Sequence, residues 1–177
     1  METAHISTHD VGHSRSHIAI PDHQCLTFVS GGTNFGVDIA VVKEILQFGG
    51  VTEVPMMPAC IRGVINLRGL VVPVVDLAVR FEREPSKVGR RSCVVIIELT
   101  DGVERHDIGV LVDAVSEVVD VPGDEVMPAP SFGTAVRADF IRGMMKKGER
   151  FVILLDVAAT FDFHDLSRLK TAALETH

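Results

Sequence analysis

Tryptophan and tyrosine are absent from this chain, and phenylalanine supplies all nine aromatic rings among 177 residues. A module that stacks nucleobases needs aromatic faces along a basic groove. Here the rings are few and the net charge is −7, which argues against nucleic acid as a partner. No apolar run approaches the length that spans a bilayer, and no charged-then-apolar leader opens the sequence. Direct membrane insertion is therefore not expected. Cysteine is scarce as well. Cys25, Cys60 and Cys93 are odd in number and widely spaced, a pattern that suits reduced, buried thiols in a cytoplasmic protein better than a disulfide framework. A cysteine nucleophile is the sharper alternative, but there is no CxxC and no evident partner base. Neither GxxxxGKS/T nor GxGxxG occurs, so nothing marks a phosphate-binding loop. The carboxylate pairs Asp38 with Glu44 and Asp113 with Glu117 read as loops and caps, because acid–base work needs a pocket that shifts their pKa values. His106 and His164 stand isolated and read as surface residues. No catalytic residue, cofactor or metal site is expected.

What the chain does have is valine, 27 residues of it, within a sequence that is 46% hydrophobic. β-Branched enrichment favours strands, and this much apolar material can bury a core. The most telling stretch is GVINLRGLVVPVVDL, Gly63 to Leu77. Two strand-forming runs, Val64–Leu67 and Leu70–Val75, flank Arg68-Gly69, which is the layout of a β-hairpin with Gly69 supplying a positive φ. Pro73 lacks a ladder donor and places the second run at an edge or a bulge. One arginine then stands at the tip of an apolar hairpin. Arginine suits mixed polar and apolar contact. The blander alternative, of equal weight on these residues alone, is that Arg68 only solvates a turn.

The hairpin has a counterpart. Ile61-Arg62-Gly63 leads to Asp76-Leu77-Ala78, and Ile141-Arg142-Gly143 leads to Asp156-Val157-Ala158 at a constant offset of 80. GVDIAVVKEI (Gly36–Ile45) parallels GVLVDAVSEV (Gly109–Val118), and Cys25-Leu26 parallels Cys93-Val94. One strand-rich unit thus appears twice, at about 24–81 and 92–163, with the polar stretch 82–91 between. The two tips differ: Asn66-Leu67-Arg68-Gly69 in the first, Lys146-Lys147-Gly148-Glu149 in the second. The first is the unusual one. Ile39–Ile45 reads as a helical turn leading into a strand through Phe48, and Asp76 as the cap of a short helix. Glu104–Asp107 reads as the extension of a loop that turns at Asp101-Gly102. A C-terminal helix is expected over Ala158–Leu174, with 164–177 as a helical tail. Residues 1–23 are polar, lack apolar periodicity and read as a mobile tail. Within it His5, His9, His13 and His17 recur every fourth residue. A helix would align them for a divalent metal, but Gly12 and the Ser/Thr content make a poor helix.

Four stretches carry a resemblance to a known family: FGVDIAVVKEI (Phe35–Ile45), PACIRGVINLRGLVVPVVDL (Pro58–Leu77), IGVLVDAVSEV (Ile108–Val118) and PAPSF (Pro128–Phe132). In this order they resemble the CheW family of chemotaxis coupling proteins over about Gln24 to Phe163. The resemblance implies an all-β fold with short helices: two intertwined, five-stranded SH3-like barrels. It implies no enzymatic activity and no cofactor. It implies an adaptor that couples the cytoplasmic tips of chemoreceptors to the regulatory domain of a CheA-type histidine kinase, or a paralogue doing so for pilus motility or another non-flagellar pathway. The protein would be cytoplasmic and would reach membrane receptor arrays through its partners. By position, Val42, Glu44 and Arg68 match residues tied to coupling, and Gly63, Gly109 and Gly143 match glycines important to it. Ile39, Val42 and Ile45 would offer apolar contacts to a receptor helix in the groove between barrels. Arg62 and Leu67 join the candidate partner-binding set, and Gly69 joins the structural glycines. Cys60, where the family often carries a larger side chain, the Glu104–Asp107 stretch and the His-rich tail depart from the family pattern.

Overall fold

The computed structural model describes residues 20–130 and 137–162. Their strands are β1 (His23–Ser30), β2 (Thr33–Asp38), β3 (Val42–Gln47), β4 (Ile61–Leu67), β5 (Leu70–Asp76), β6 (Cys93–Asp101), β7 (Glu104–Val112), β8 (Ala114–Val121), β9 (Ile141–Lys147) and β10 (Arg150–Leu155). Single helical turns α1 (Leu77–Arg80) and α2 (Val157–Thr160) follow β5 and β10, and a 3₁₀ turn, Ile39–Val41, leads into β3. Asp76 and Asp156 start α1 and α2, accepting from Ala78 N–H and Ala159 N–H at 3.1 and 3.0 Å, as short N-capping side chains do.

The strands form two five-stranded sheets, ordered β8-β1-β2-β10-β9 and β3-β6-β7-β5-β4. Neither belongs to one half of the chain. The first combines β1 and β2 with the last three strands of the second repeat, and the second combines β6 and β7 with the last three strands of the first. The division at 82–91 marks the repeat in sequence, not the boundary between sheets. Each sheet curls until its edges approach. Past β3, Thr52 exchanges two backbone hydrogen bonds with Val64 of β4, and Met127, past β8, does the same with Met144 of β9. The resulting two-sheet architecture is SH3-like.

Register tests the repeat residue by residue. Gly36 lies opposite Leu154 in a parallel ladder, and Gly109 lies opposite Val74 in another. Phe28 faces Val115, and Ile97 faces Val42. These pairs are related by the repeat, so it is structural. One alignment needs correction. Gly36 faces Thr27 and Gly109 faces Ile96, which matches Cys25 with Val94, not with Cys93. Both are buried, whereas Cys93 is half-exposed. A slip of one residue exchanges the faces of a strand, and the shared cysteine concealed it.

Three apolar clusters follow. Each sheet wraps its own, one around Cys25, Val121, Val152 and Leu154, the other around Val72, Val74, Val94 and Ile96. The third joins the sheets and holds the large rings: Phe28, Phe35, Phe81, Phe140 and Phe161. Successive centroids from Phe28 to Phe140 through Phe35 and Phe81 stand 6.0, 5.2 and 6.0 Å apart. Burying one such side chain stabilises by about 2–3 kcal/mol. Arg80 is buried here, with its guanidinium 4.6 Å from the Phe140 ring and its Nε donating to Thr160 O at 2.6 Å. Arg80 and Thr160 are repeat equivalents, so the two copies touch at matching positions.

Several expectations are revised. Glu104–Asp107 is not a loop: it lies in β7, paired as far as Asp101–Glu104, and only Gly102-Val103 turn. The charges alternate with the pleat and pair across it, with Arg105 to Glu98 at 3.6 Å and Lys43 to Asp107 at 3.1 Å. The hydrogen bond to Asp107 raises the Lys43 pKa. β5 is an interior strand. Pro73 faces Val64 of β4, and the parallel ladder to β7 begins only at Val74, so the missing donor costs no ladder bond. Residues ahead of β1 also join the fold: Ile20 packs on the Cys25 cluster, and Asp22 accepts from Gly123 N–H at 2.8 Å. The helix expected from Ala158 is one turn that stops at Phe161. The remainder of that helix, the histidines at 5, 9, 13 and 17, His164, and Ser131-Phe132 of PAPSF lie outside the described residues.

The candidate structural glycines act for different reasons. A Cβ on Gly63 would meet Thr52 O at 2.4 Å, where the bridge between edges passes, and one on Gly109 would meet Val94 Cγ1 at 2.7 Å. Gly69 has open space and only needs its φ of +83°. Gly143 is buried opposite Leu154. Gly63→Ala should therefore cost more than about 2 kcal/mol in urea unfolding, and Gly69→Ala about 1 kcal/mol.

Burial pushes the Cys25 thiol up to about 11, with Asp38 adding to the shift and Lys147 opposing it. A thiol whose folded pKa lies above its unfolded value near 9.0 holds its proton more tightly when folded. Its contribution is complete below pH 9 and is lost as pH rises towards 11. Urea midpoints measured across that window should fall more steeply for the native chain than for Cys25→Ala.

Candidate partner-binding site

The β4–β5 tip is a two-residue turn in which both central residues, Arg68 and Gly69, have positive φ, +53° and +83°. That is the turn whose twist matches a hairpin, and it normally takes Asn-Gly or Gly-Gly. Asn66 Oδ1 accepts from Gly69 N–H at 2.9 Å and closes it. Arg68 reaches across to the opposite edge of its sheet, where Nη2 lies 2.9 Å from Glu44 Oε2 on β3. The guanidinium is thereby aimed although the side chain is 75% exposed. Leu67 turns inward against the sheet's own core. Leu70 and Val71 are 61% and 73% exposed and stand directly after the turn.

Of the candidate residues, Glu44, Leu67 and Arg68 gather at this tip. Ile39 and Val42 are half-buried against the inter-sheet core, and Ile45, on the same strand as Glu44, is exposed. Arg62 is engaged inward. Its Nη1 is 3.2 Å from Asp76 Oδ2 and 3.2 Å from Ser86 O. Buried Asp76 also accepts from Ser86 N–H and Oγ–H, so Arg62 helps to anchor the 82–91 connection. The sequence marks Leu70 and Val71 only as strand residues. Their exposure follows from β5 running past the start of its ladder to β7, and it leaves an opening of about 480 Å³ between Leu70–Pro73 and Arg105–Ile108. A second cleft, of about 440 Å³, lies between α2 and the β6–β7 hairpin. Among the described residues no group of metal-ligating side chains occurs and no helix is long and apolar enough to cross a membrane.

The second repeat builds a related tip. Lys147 pairs with Glu117, the equivalent of Glu44, and exposed Val118 and Phe151 match Ile45 and Val71. The tips are more alike in architecture than their residues suggest. They differ in that Gly148, with φ +60°, occupies the left-handed position that Arg68 holds in the first.

A model of the CheW-like domain family matches residues 24–164. The chain belongs to the CheW-like family. It is 34% identical over 140 residues to a probable chemotaxis protein CheW of Rhizobium etli, covering 79% of this chain and 88% of that one. It is 30% identical over 148 residues to the chemotaxis protein CheW of Klebsiella aerogenes, covering 84% and 87%. Among solved structures it resembles the scaffolding protein TtCheW of Thermoanaerobacter tengcongensis, with a TM-score of 0.71 and 26% identity over 89% of this chain and 94% of that one.

A left-handed non-glycine residue costs about 1–2 kcal/mol, and an exposed ion pair returns about 0–1 kcal/mol. In this CheW-like chain Arg68→Gly should therefore leave stability unchanged or raise it by about 1 kcal/mol in chemical denaturation.

Proposed function

We propose that this chain is a non-catalytic, cytoplasmic adaptor that couples chemoreceptors to a CheA-type histidine kinase in a chemosensory array. The observation that carries the reading is the β4–β5 tip: an exposed arginine held in a left-handed turn, steered by Glu44, beside solvent-facing Leu70 and Val71. Monomer folding does not call for that combination, since glycine would fit the turn more easily. A mixed surface of this kind suits an arginine-centred protein contact. The kinase's CheW-like regulatory domain is the partner assigned to the tip. The helical receptor tip is assigned to the groove beside Ile39, Val42 and Ile45, as an apolar helix face in an apolar groove.

Arg68→Glu should weaken binding of the kinase regulatory domain at least tenfold, about 1.4 kcal/mol, while leaving the melting transition in place. Lys147→Glu, which breaks the corresponding ion pair of the second repeat, is the control and should matter less in the same titration. Equal losses at both tips, or ATP turnover by the purified chain, would overturn the assignment.

A further inference from the structure

Glycine and asparagine are the residues that enter the left-handed region readily, and Arg68 is neither. The repeat shows what holds it there, because it relates the two hairpin tips residue by residue. Both are two-residue turns, with Leu67 opposite Leu70 in the first and Lys147 opposite Arg150 in the second. At the constant offset of 80, Asn66 corresponds to Lys146, Arg68 to Gly148 and Gly69 to Glu149. In the first tip both central residues have positive φ, and in the second only Gly148 does. These are the two primed turns, and they differ by a flip of the peptide unit that joins the central residues.

The flip decides which residue fits. With the peptide turned as in the second tip, the first central position belongs to glycine, and Gly148 fills it. With the peptide turned as in the first, that position lies in the left-handed helical region, which a side chain can occupy under strain. The N–H of this peptide is that of Gly69, and Asn66 Oδ1 accepts it at 2.9 Å. Lys146 carries donors and no acceptor, so the corresponding side chain of the second tip cannot make such a bond. The clamp stands in the copy that puts a side chain in the left-handed position, and the copy with glycine there does without it. Asn66 is exposed and holds its place in β4 through the ladder to Val71. An unclamped Arg-Gly pair has an easier turn, with the arginine at negative φ and only the glycine positive. That turn splays a hairpin, and it would carry the guanidinium off the line to Glu44 Oε2, now 2.9 Å away.

We propose that Asn66 is a positioning residue for the partner contact at the β4–β5 tip: its carboxamide fixes the Arg68–Gly69 peptide and so aims Arg68. It acts through Arg68 and not by touching the partner. The proposal rests on the reading of this tip as the surface that binds the kinase regulatory domain.

The test separates the turn from the partner. In Asn66→Ala, NMR couplings and cross-correlated relaxation that report φ at residue 68 should show the left-handed conformation depleted, with the melting transition in place. Losing that one hydrogen bond should weaken binding of the kinase regulatory domain about three- to tenfold. Asn66→Asp keeps an acceptor at the same reach and should restore both. In an Arg68→Gly background, where glycine takes the turn unaided, Asn66→Ala should change binding no further. Unchanged φ at residue 68 in Asn66→Ala, undiminished binding despite a changed φ, failure of Asn66→Asp to restore, or an equal loss in the Arg68→Gly background would each overturn the proposal. If the native chain does not bind the kinase domain at all, the reading of the tip falls, and the φ measurement, which needs no partner, still decides whether Asn66 holds Arg68.

Discussion

Two short parallel ladders carry this architecture. β2 meets β10 through Phe35–Ile153 and Gly36–Leu154, and β5 meets β7 through Val74–Gly109 to Asp76–Leu111. Each ladder introduces a hairpin from one repeat into the sheet begun by the other. Both pass over a glycine because the backbone there has no room for a side chain: a Cβ on Gly36 would stand 2.9 Å from Cys25 Sγ, and one on Gly109 would stand 2.7 Å from Val94 Cγ1. The inter-sheet core depends on this exchange. Phe35 and Phe81, which touch, are separated by the three strands β3 to β5 and belong to parts of the chain that different sheets claim.

The hairpins, the helix cap at Asp76 and the duplication itself were legible in the sequence, because each depends on residues close together in the chain or on a pattern repeated at constant offset. The parallel partners were not, since no local signal tells β5 that its neighbour is β7. The register of the opening strands was misread by one residue because a short apolar strand, buried on both faces, has no alternation to fix its phase. Glu104–Asp107 looked like a loop because charge is usually read as exposure. In the fold those charges alternate along a long hairpin and pair with Lys43, Glu98 and their neighbours. Of the candidate site, Arg68 and its turn could be found by reading. Its pairing with Glu44 could not, because it depends on the curl that brings opposite edges of one sheet together.

That curl also alters how the two hairpin tips compare. Each is tied by a cation to an equivalent glutamate on a strand at the opposite edge. The second tip uses a lysine that precedes its turn and puts glycine in the left-handed position. The first puts the arginine itself in that position, followed by Leu70 and Val71 where the second has Arg150 and Phe151. The turns differ in backbone as well as in chemistry, since both central residues have positive φ in the first and only Gly148 does in the second, so a partner can distinguish the tips by either.

The strand exchange has a consequence for how the molecule comes into being. A chain is made from its amino terminus, and the β1–β2 hairpin can close as soon as it emerges. Its flanking strands cannot join until much later: Val119 is required beside Cys25, and Ile153 beside Phe35. At synthesis rates of about 5–20 residues per second, that interval is roughly ten seconds. During it, β1 and β2 have open edges on both sides. Neither sheet reaches five strands until β8 to β10 have been made for one and β6 and β7 for the other. The sheet of β3 to β7 can thus close once β7 is made, whereas the sheet begun by β1 and β2 is held unfinished until β10 arrives.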